Sequence, residues 1–246
     1  MNDPVFQLES ACFAYPDGNN ALCDVSLSIK PGESVAILGA NGCGKSTLFK
    51  ILSGLLFIKS GEFNAFGKVV DSKSFTDEAF TLNYHRRVGF IFQDSDVQLF
   101  CSTIRDEIAF GPLQLGLPAE DVRRRVDEIA QMLGITHLLD KPPFHLSGGE
   151  KKKAALAAVL VTGPDVLLLD EPANSLDPRT QKWLIALLSG LSRAGKTLIV
   201  STHSLELAGG LCNRAVLFNE EHSIEADAQT AELLGNTELL KKVNLI

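Results

Sequence analysis

Nine consecutive residues constrain this chain more than any others: Gly39, Ala40, Asn41, Gly42, Cys43, Gly44, Lys45, Ser46 and Thr47. An apolar run over 34–38 precedes them, and Leu48, Ile51, Leu52 and Leu55 follow at helical spacing. Glycines at such a strand-to-helix turn let successive backbone N–H groups point inward around an anion. The start of the helix adds unpaired donors and the positive end of its dipole. Lys45 is placed to reach the β- and γ-phosphates of a nucleotide, and the Ser46 hydroxyl to ligate Mg²⁺. The expectation is a chain that binds a nucleoside triphosphate. The loop alone leaves the reaction open, because kinases, GTPases, motors and transport ATPases all build on it.

The other apolar segments set this loop in an α/β fold. Runs at 34–38, 87–93, 166–170 and 197–201 are continuous, as parallel strands buried on both faces require. Residues 5–15 and 21–30 are β-prone, and Pro16, Asp17, Gly18, Asn19 and Asn20 predict a hairpin turn between them. Leu184, Leu187, Leu188 and Leu191 mark one face of a predicted helix over 178–191, with Pro178 in its first turn and Asp177 as N-cap. Between Asp94 and Leu160 strand signals give way to helical ones, such as Val122, Val126, Ile129 and Leu133. A break at Gly111 and Pro112 and the pair Pro142 and Pro143 punctuate that stretch. The pattern predicts one domain over 1–246 with a P-loop NTPase core and a mainly parallel sheet. Core and N-terminal antiparallel β subdomain would occupy about 1–93 and 161–246, and an inserted helical subdomain about 94–160.

Charge and cysteine usage narrow the partners. With 23 basic against 30 acidic residues the net charge is −7, which gives no electrostatic case for nucleic acid. Arg123, Arg124 and Arg125 read as a solvated helix face. Cys12, Cys23, Cys43, Cys101 and Cys212 form no C-x-x-C pair, and a cysteine inside the phosphate loop suits a reducing compartment. No leader is expected at the N-terminus, and the apolar runs fall short of the roughly 18 residues that a membrane span needs.

The run over 166–170 ends in two acids, Asp170 and Glu171, before Pro172. An aspartate there can hold Mg²⁺, directly or through water, opposite Ser46. Glu171, one residue beyond the strand, can sit near the γ-phosphate and accept a proton from an attacking water. The LSGGE segment at 146–150 opens another helix. Locally it is a capping box, with Ser147 as N-cap and Glu150 three residues on. Gly148 and Gly149 weaken a helix start for no local gain, yet they suit the approach of an anion to the backbone. Local physics leaves both readings open.

Taken together, these segments resemble the ATP-binding cassette (ABC) ATPases. The phosphate loop, Gln93 after a strand, LSGGE, LLLDEP at 167–172, Ser175-Leu176-Asp177 and His203 occur in that family's order, over nearly the whole chain. The resemblance implies that Tyr15 stacks on adenine and that Gln93 contacts Mg²⁺ and senses the γ-phosphate. Ser147, Gly148 and Gly149 would close on the γ-phosphate held by a partner subunit. Glu171 would be the general base, His203 would hold the γ-phosphate and position the water, and Asp177 would belong to the loop joining paired sites. One chain would then be half of an active site, completed by a second cassette, with a homodimer favoured. His85, His137, His145 and His222 read as surface or cap residues.

A narrower resemblance lies in 92–100 (FQDSDVQLF), Ala109-Phe110-Gly111-Pro112 and 115–118 (LGLP). These are similar to the ATPase subunits of energy-coupling-factor importers, and Lys141-Pro-Pro-Phe-His145 is closer to the cobalt/nickel type. The resemblance implies a peripheral protein on the cytoplasmic face of the cell membrane, beneath a membrane coupling subunit and a substrate-binding membrane subunit. ATP hydrolysis would drive uptake of cobalt or nickel. A vitamin importer and a soluble non-transport ABC ATPase are the alternatives, and a small-molecule kinase would not need LSGGE. Departures from the family pattern are Ser95 for proline, Lys153 for arginine, and Ala173-Asn174-Ser175. The tail after Ala228, with Leu233, Leu234, Leu239 and Leu240, suits core packing or a dimer contact.

Overall fold

The structure, a computed structural model, describes residues 3–246. In chain order it comprises β1 (Phe6–Ala14), β2 (Asn20–Ile29), β3 (Ser34–Leu38), α1 (Lys45–Leu52), β4 (Ser60–Ala65), β5 (Lys68–Val69), α2 (Glu78–Arg87), β6 (Val88–Ile91), α3 (Ser95–Gln98) and α4 (Ile104–Gln114). There follow α5 (Ala119–Leu133), α6 (Gly148–Leu160), β7 (Val166–Asp170), α7 (Pro178–Arg193), β8 (Thr197–Thr202), α8 (Leu205–Leu211), β9 (Arg214–Phe218), β10 (Ile224–Gln229), α9 (Thr230–Gly235) and α10 (Thr237–Lys242).

Two sheets organise these elements. The N-terminal one is antiparallel, in the order β2-β1-β4-β5. The larger runs β10-β9-β3-β8-β7-β6, with β10 antiparallel at one edge and the rest parallel. Side chains alternate along each parallel strand, so its two faces feed two cores. Val35, Ile37, Val166, Leu168, Ile199, Val216 and Phe218 face α1 and the antiparallel sheet. Ala36, Leu38, Leu167, Leu169, Leu198, Val200, Ala215 and Leu217 face the helices of the other side. Burying side chains the size of Phe49 and Phe218 completely contributes about 2–3 kcal/mol each. Val122, Val126, Ile129 and Leu133 form the buried stripe of α5 as their spacing predicts. In the tail, Leu233 and Leu240 are buried in the core.

Two expectations need correction. The helix after the phosphate loop ends at Leu52, Gly54 turns at φ 78°, and Leu55 is 52% exposed rather than on the helix face. Nor do Gly111 and Pro112 break a helix, since α4 runs through both. A Cβ on Gly111 would lie 3.1 Å from the Thr162 methyl. The glycine therefore serves the close packing of α4 on the end of α6.

Candidate active site

The phosphate loop joins the end of β3 to α1. Gly44 sits at φ 110°, and a Cβ there would lie 2.2 Å from the Ala21 carbonyl oxygen, so only glycine fits. Lys45 is buried, with Nζ donating to the carbonyls of Gly39 at 2.7 Å and Ala40 at 2.9 Å. Its charge therefore lies across the loop's own mouth. The Tyr15 hydroxyl is 3.0 Å from Thr47 Oγ1, and its ring meets Phe13 edge-on. These contacts pin the tyrosine beside the loop. Burial pushes the Cys43 thiol pKa up, against the opposing pull of Lys45.

The facing wall comes from the ends of β7 and β8. Asp170 pairs in register with Ser201, whose hydroxyl donates to the aspartate. The Glu171 amide donates to the Ser201 carbonyl and hydroxyl, both at 3.1 Å. Held this way, Glu171 adopts φ 43°, a left-handed conformation that costs a non-glycine residue about 1–2 kcal/mol. The turn aims the carboxylate at His203, whose Nδ1 is 3.0 Å from Glu171 Oε1. Tyr15, Asn41, Gly42, Gly44, Lys45, Ser46, Thr47, Gln93, Glu171 and His203 line one cleft of about 550 Å³. Asp170 is buried and does not line it.

Among the described residues no cluster of three or more His, Cys, Asp or Glu could hold a metal ion by itself. The cleft itself offers the Ser46 hydroxyl and the Gln93 amide oxygen, and the Asp170 carboxylate lies buried at the adjoining end of β7, hydrogen-bonded by Ser201. Such a sparse set of hard oxygen donors fits Mg²⁺, which keeps waters and takes substrate phosphates to complete its octahedron.

LSGGE lies elsewhere. Ser147 caps α6 in a full capping box, its amide donating to Glu150 Oε2 at 2.8 Å and its hydroxyl to the same oxygen at 2.7 Å. These bonds pull the Glu150 carboxyl below its usual range. The two glycines have different reasons. A Cβ on Gly149 would lie 3.0 Å from Thr180 Oγ1, whereas one on Gly148 would meet nothing within 4 Å. This turn borders a separate cleft of about 650 Å³ with Ser175, Asp177, Thr180 and Trp183. Asp177 caps α7 as expected, and Lys153 Nζ lies 4.7 Å above the Trp183 ring. Within one chain, then, Ser147, Gly148 and Gly149 are not brought to the phosphate loop.

His222, read as a surface or cap residue, is half-buried and lines the same cleft as the phosphate loop, from the turn between β9 and β10. Its carbonyl accepts from the Cys23 amide at 2.9 Å, which locks that turn against β2. Nothing local in the sequence signals this approach. His85, His137 and His145 are exposed, and Arg124 forms exposed pairs with Asp121 and Glu128.

Residues 22–174 match the family model described as ABC transporter. A Caldanaerobacter subterraneus protein designated an ABC transporter ATP-binding protein is 50% identical, over 99% of this chain and all of its own length. The nickel import ATP-binding protein NikO of Rhodobacter capsulatus is 45% identical over 99% of this chain and 96% of its own. Among solved structures, CbiO1 from Clostridium perfringens, part of the ABC transporter complex CbiONQ, superposes with a TM-score of 0.83 at 36% identity. That match covers 99% of this chain and 96% of the other.

Proposed function

The chain belongs to the ABC transporter family, whose ATPases couple ATP hydrolysis to transport, and from that premise we propose that it energises uptake of nickel or cobalt in an energy-coupling-factor type importer. It is the ATP-binding subunit of an ABC importer. The observation that carries the site reading is the Glu171–His203 pair, 3.0 Å apart and facing the phosphate loop across one cleft.

In this reading the loop amides and Lys45 bind the triphosphate, and Tyr15 takes the adenine on its ring. Ser46, Gln93 and Asp170, the last directly or through water, would hold Mg²⁺, which would neutralise phosphate charge when bound. Glu171 accepts the proton of the attacking water. His203, hydrogen-bonded to that carboxylate, orients it and contacts the γ-phosphate. Ser147, Gly148 and Gly149 act on the nucleotide of a second copy, because their turn opens onto a different cleft from their own chain's loop. Residues 94–160 form the helical subdomain that carries them, and 1–93 with 161–246 form the core and β subdomain.

No helix among the described residues is long and apolar enough to cross a membrane. By its likeness to ATPase subunits of membrane importers, the chain would act at the cytoplasmic face by docking on membrane subunits. Exposed Val97, Phe100 and Phe110 sit on the segment after Gln93 and on α4, where a coupling subunit would bind. Nickel or cobalt as cargo is favoured by likeness to nickel import proteins and by the segment 141–145.

Glu171→Gln tests the chemistry. ATP-bound dimers should accumulate in gel filtration while steady-state ATPase falls by about 10²-fold or more; normal turnover would refute the assignment. For the cargo, ATP-dependent uptake of Ni²⁺ or Co²⁺ should require this chain together with its co-purifying membrane subunits. Uptake that persists after its deletion would reject the metal.

A further inference from the structure

Lys152, at the start of the second turn of α6, is a buried cation with no direct carboxylate partner among the described residues. It is 3% exposed. Its Nζ donates to two backbone carbonyls at 3.1 Å each, those of Phe92 and Gln93. Both belong to the stretch that leaves β6, about sixty residues earlier in the chain. The charges of Asp94 and Asp170 act on the ammonium from nearby. Burying a lysine costs several kcal/mol unless its protons are satisfied, and an apolar side chain would fill the space more cheaply. The carbonyls explain the cation: strand pairing stops at Ile91, and this ammonium takes up the two oxygens that follow.

Further links run between the same two segments. Lys151 Nζ pairs with Asp96 at 2.5 Å. Gln98 accepts from the Phe92 amide at 3.2 Å and donates to the Ala155 carbonyl at 3.3 Å. Residues 92–98 are thus stitched along the first two turns of α6, the helix that begins at Gly148. Gln93 itself is exposed, and its side chain lines the nucleotide cleft. With its backbone fixed to α6, Gln93 has little freedom to shift without Ser147, Gly148 and Gly149 shifting too.

We propose that Lys152 is a positioning residue: it clamps the Gln93 backbone to the head of α6, so that Gln93 and the Ser147–Gly149 turn respond to nucleotide as one rigid unit. The clamp rests on the reading of Gln93 as a nucleotide-site residue. It acts on the link between the two half-sites rather than on nucleotide affinity.

The test compares Lys152→Met, which keeps the stem but removes the donors, with Lys152→Arg, which keeps donors and charge, and with Gln93→Ala. For each, binding of a fluorescent ATP analogue, kcat per nucleotide-binding molecule and thermal melting are measured. Lys152→Met should bind the analogue within about twofold of wild type while kcat falls about tenfold or more, as expected when a reacting group is misplaced. In the Glu171→Gln background it should weaken ATP-driven dimerisation, and Lys152→Arg should recover part of both losses. A purely structural lysine would lower the melting temperature and leave kcat per binding molecule unchanged. That outcome, or loss of nucleotide binding in parallel with kcat, overturns the clamp. Unchanged turnover in Gln93→Ala would locate the failure in the reading of Gln93 instead.

Discussion

At the scale of single residues, the loop that follows β7 holds two left-handed non-glycine residues, Glu171 at φ 43° and Ser175 at φ 60°. Glu171 is locked there by the Ser201 carbonyl and hydroxyl, and its conformation delivers the carboxylate to His203. Ser175 has no such lock in the cleft, so its strain is removable. Ser175→Gly should stabilise the protein by about 1 kcal/mol, raising the melting temperature by roughly 2–4 °C. Gly44→Ala is the contrasting case, because its methyl would be driven into the Ala21 carbonyl. It should lower the melting temperature and weaken nucleotide binding together, which calorimetry can read. The loop between β3 and α1 was legible in the sequence because phosphate chemistry demands a short contiguous glycine-rich turn. His222 and Lys152 were not, since each acts on a segment far away along the chain.

Among the elements, α6 carries the clearest division between internal and external demands. Its capping box and the packing of Gly149 on Thr180 are satisfied within the chain, while Gly148 faces open space. Gly148→Ala should therefore leave the melting temperature unchanged or slightly higher, since alanine favours a helix by up to about 1 kcal/mol. In the proposed composite site ATP-driven dimerisation and turnover should nevertheless fall, because the methyl would stand in the space assigned there to a partner's nucleotide. A drop in monomer stability would show that the glycine serves the fold instead. Continuous apolar runs made β3, β6, β7 and β8 readable to within a few residues. The strands β4 and β5 escaped because their residues are polar and largely exposed. So did α2, which buries only Tyr84, and β10, which has no fully buried residue. Arg214 holds that last strand to the sheet, bidentate on Asp227 at 2.7 Å and on Glu33 at 3.0 Å. Such a pairing between two strands and the turn before β3 cannot be read from local pattern.

For the molecule as a whole, the phosphate loop and the LSGGE turn open onto different clefts. If two copies complete each other, a Lys45→Ala chain mixed with a Ser147→Arg chain forms heterodimers in which one composite site is wholly intact. Either variant alone should be inactive, whereas an equimolar mixture should regain up to roughly a quarter of wild-type ATPase under random pairing. Silence in the mixture, with heterodimers confirmed by mass spectrometry, would argue against a shared site. The sheet order bears on how such a protein comes into being. The strand that presents the phosphate loop, β3, is flanked by β8 and β9, whose residues begin at Thr197 and Arg214. On the ribosome, the loop that defines the chain is made early and stays without both neighbours until most of the polypeptide has emerged. Nucleotide binding should thus be among the last properties acquired during synthesis, and nascent chains that stall before β9 should bear the complete loop yet fail to retain ATP.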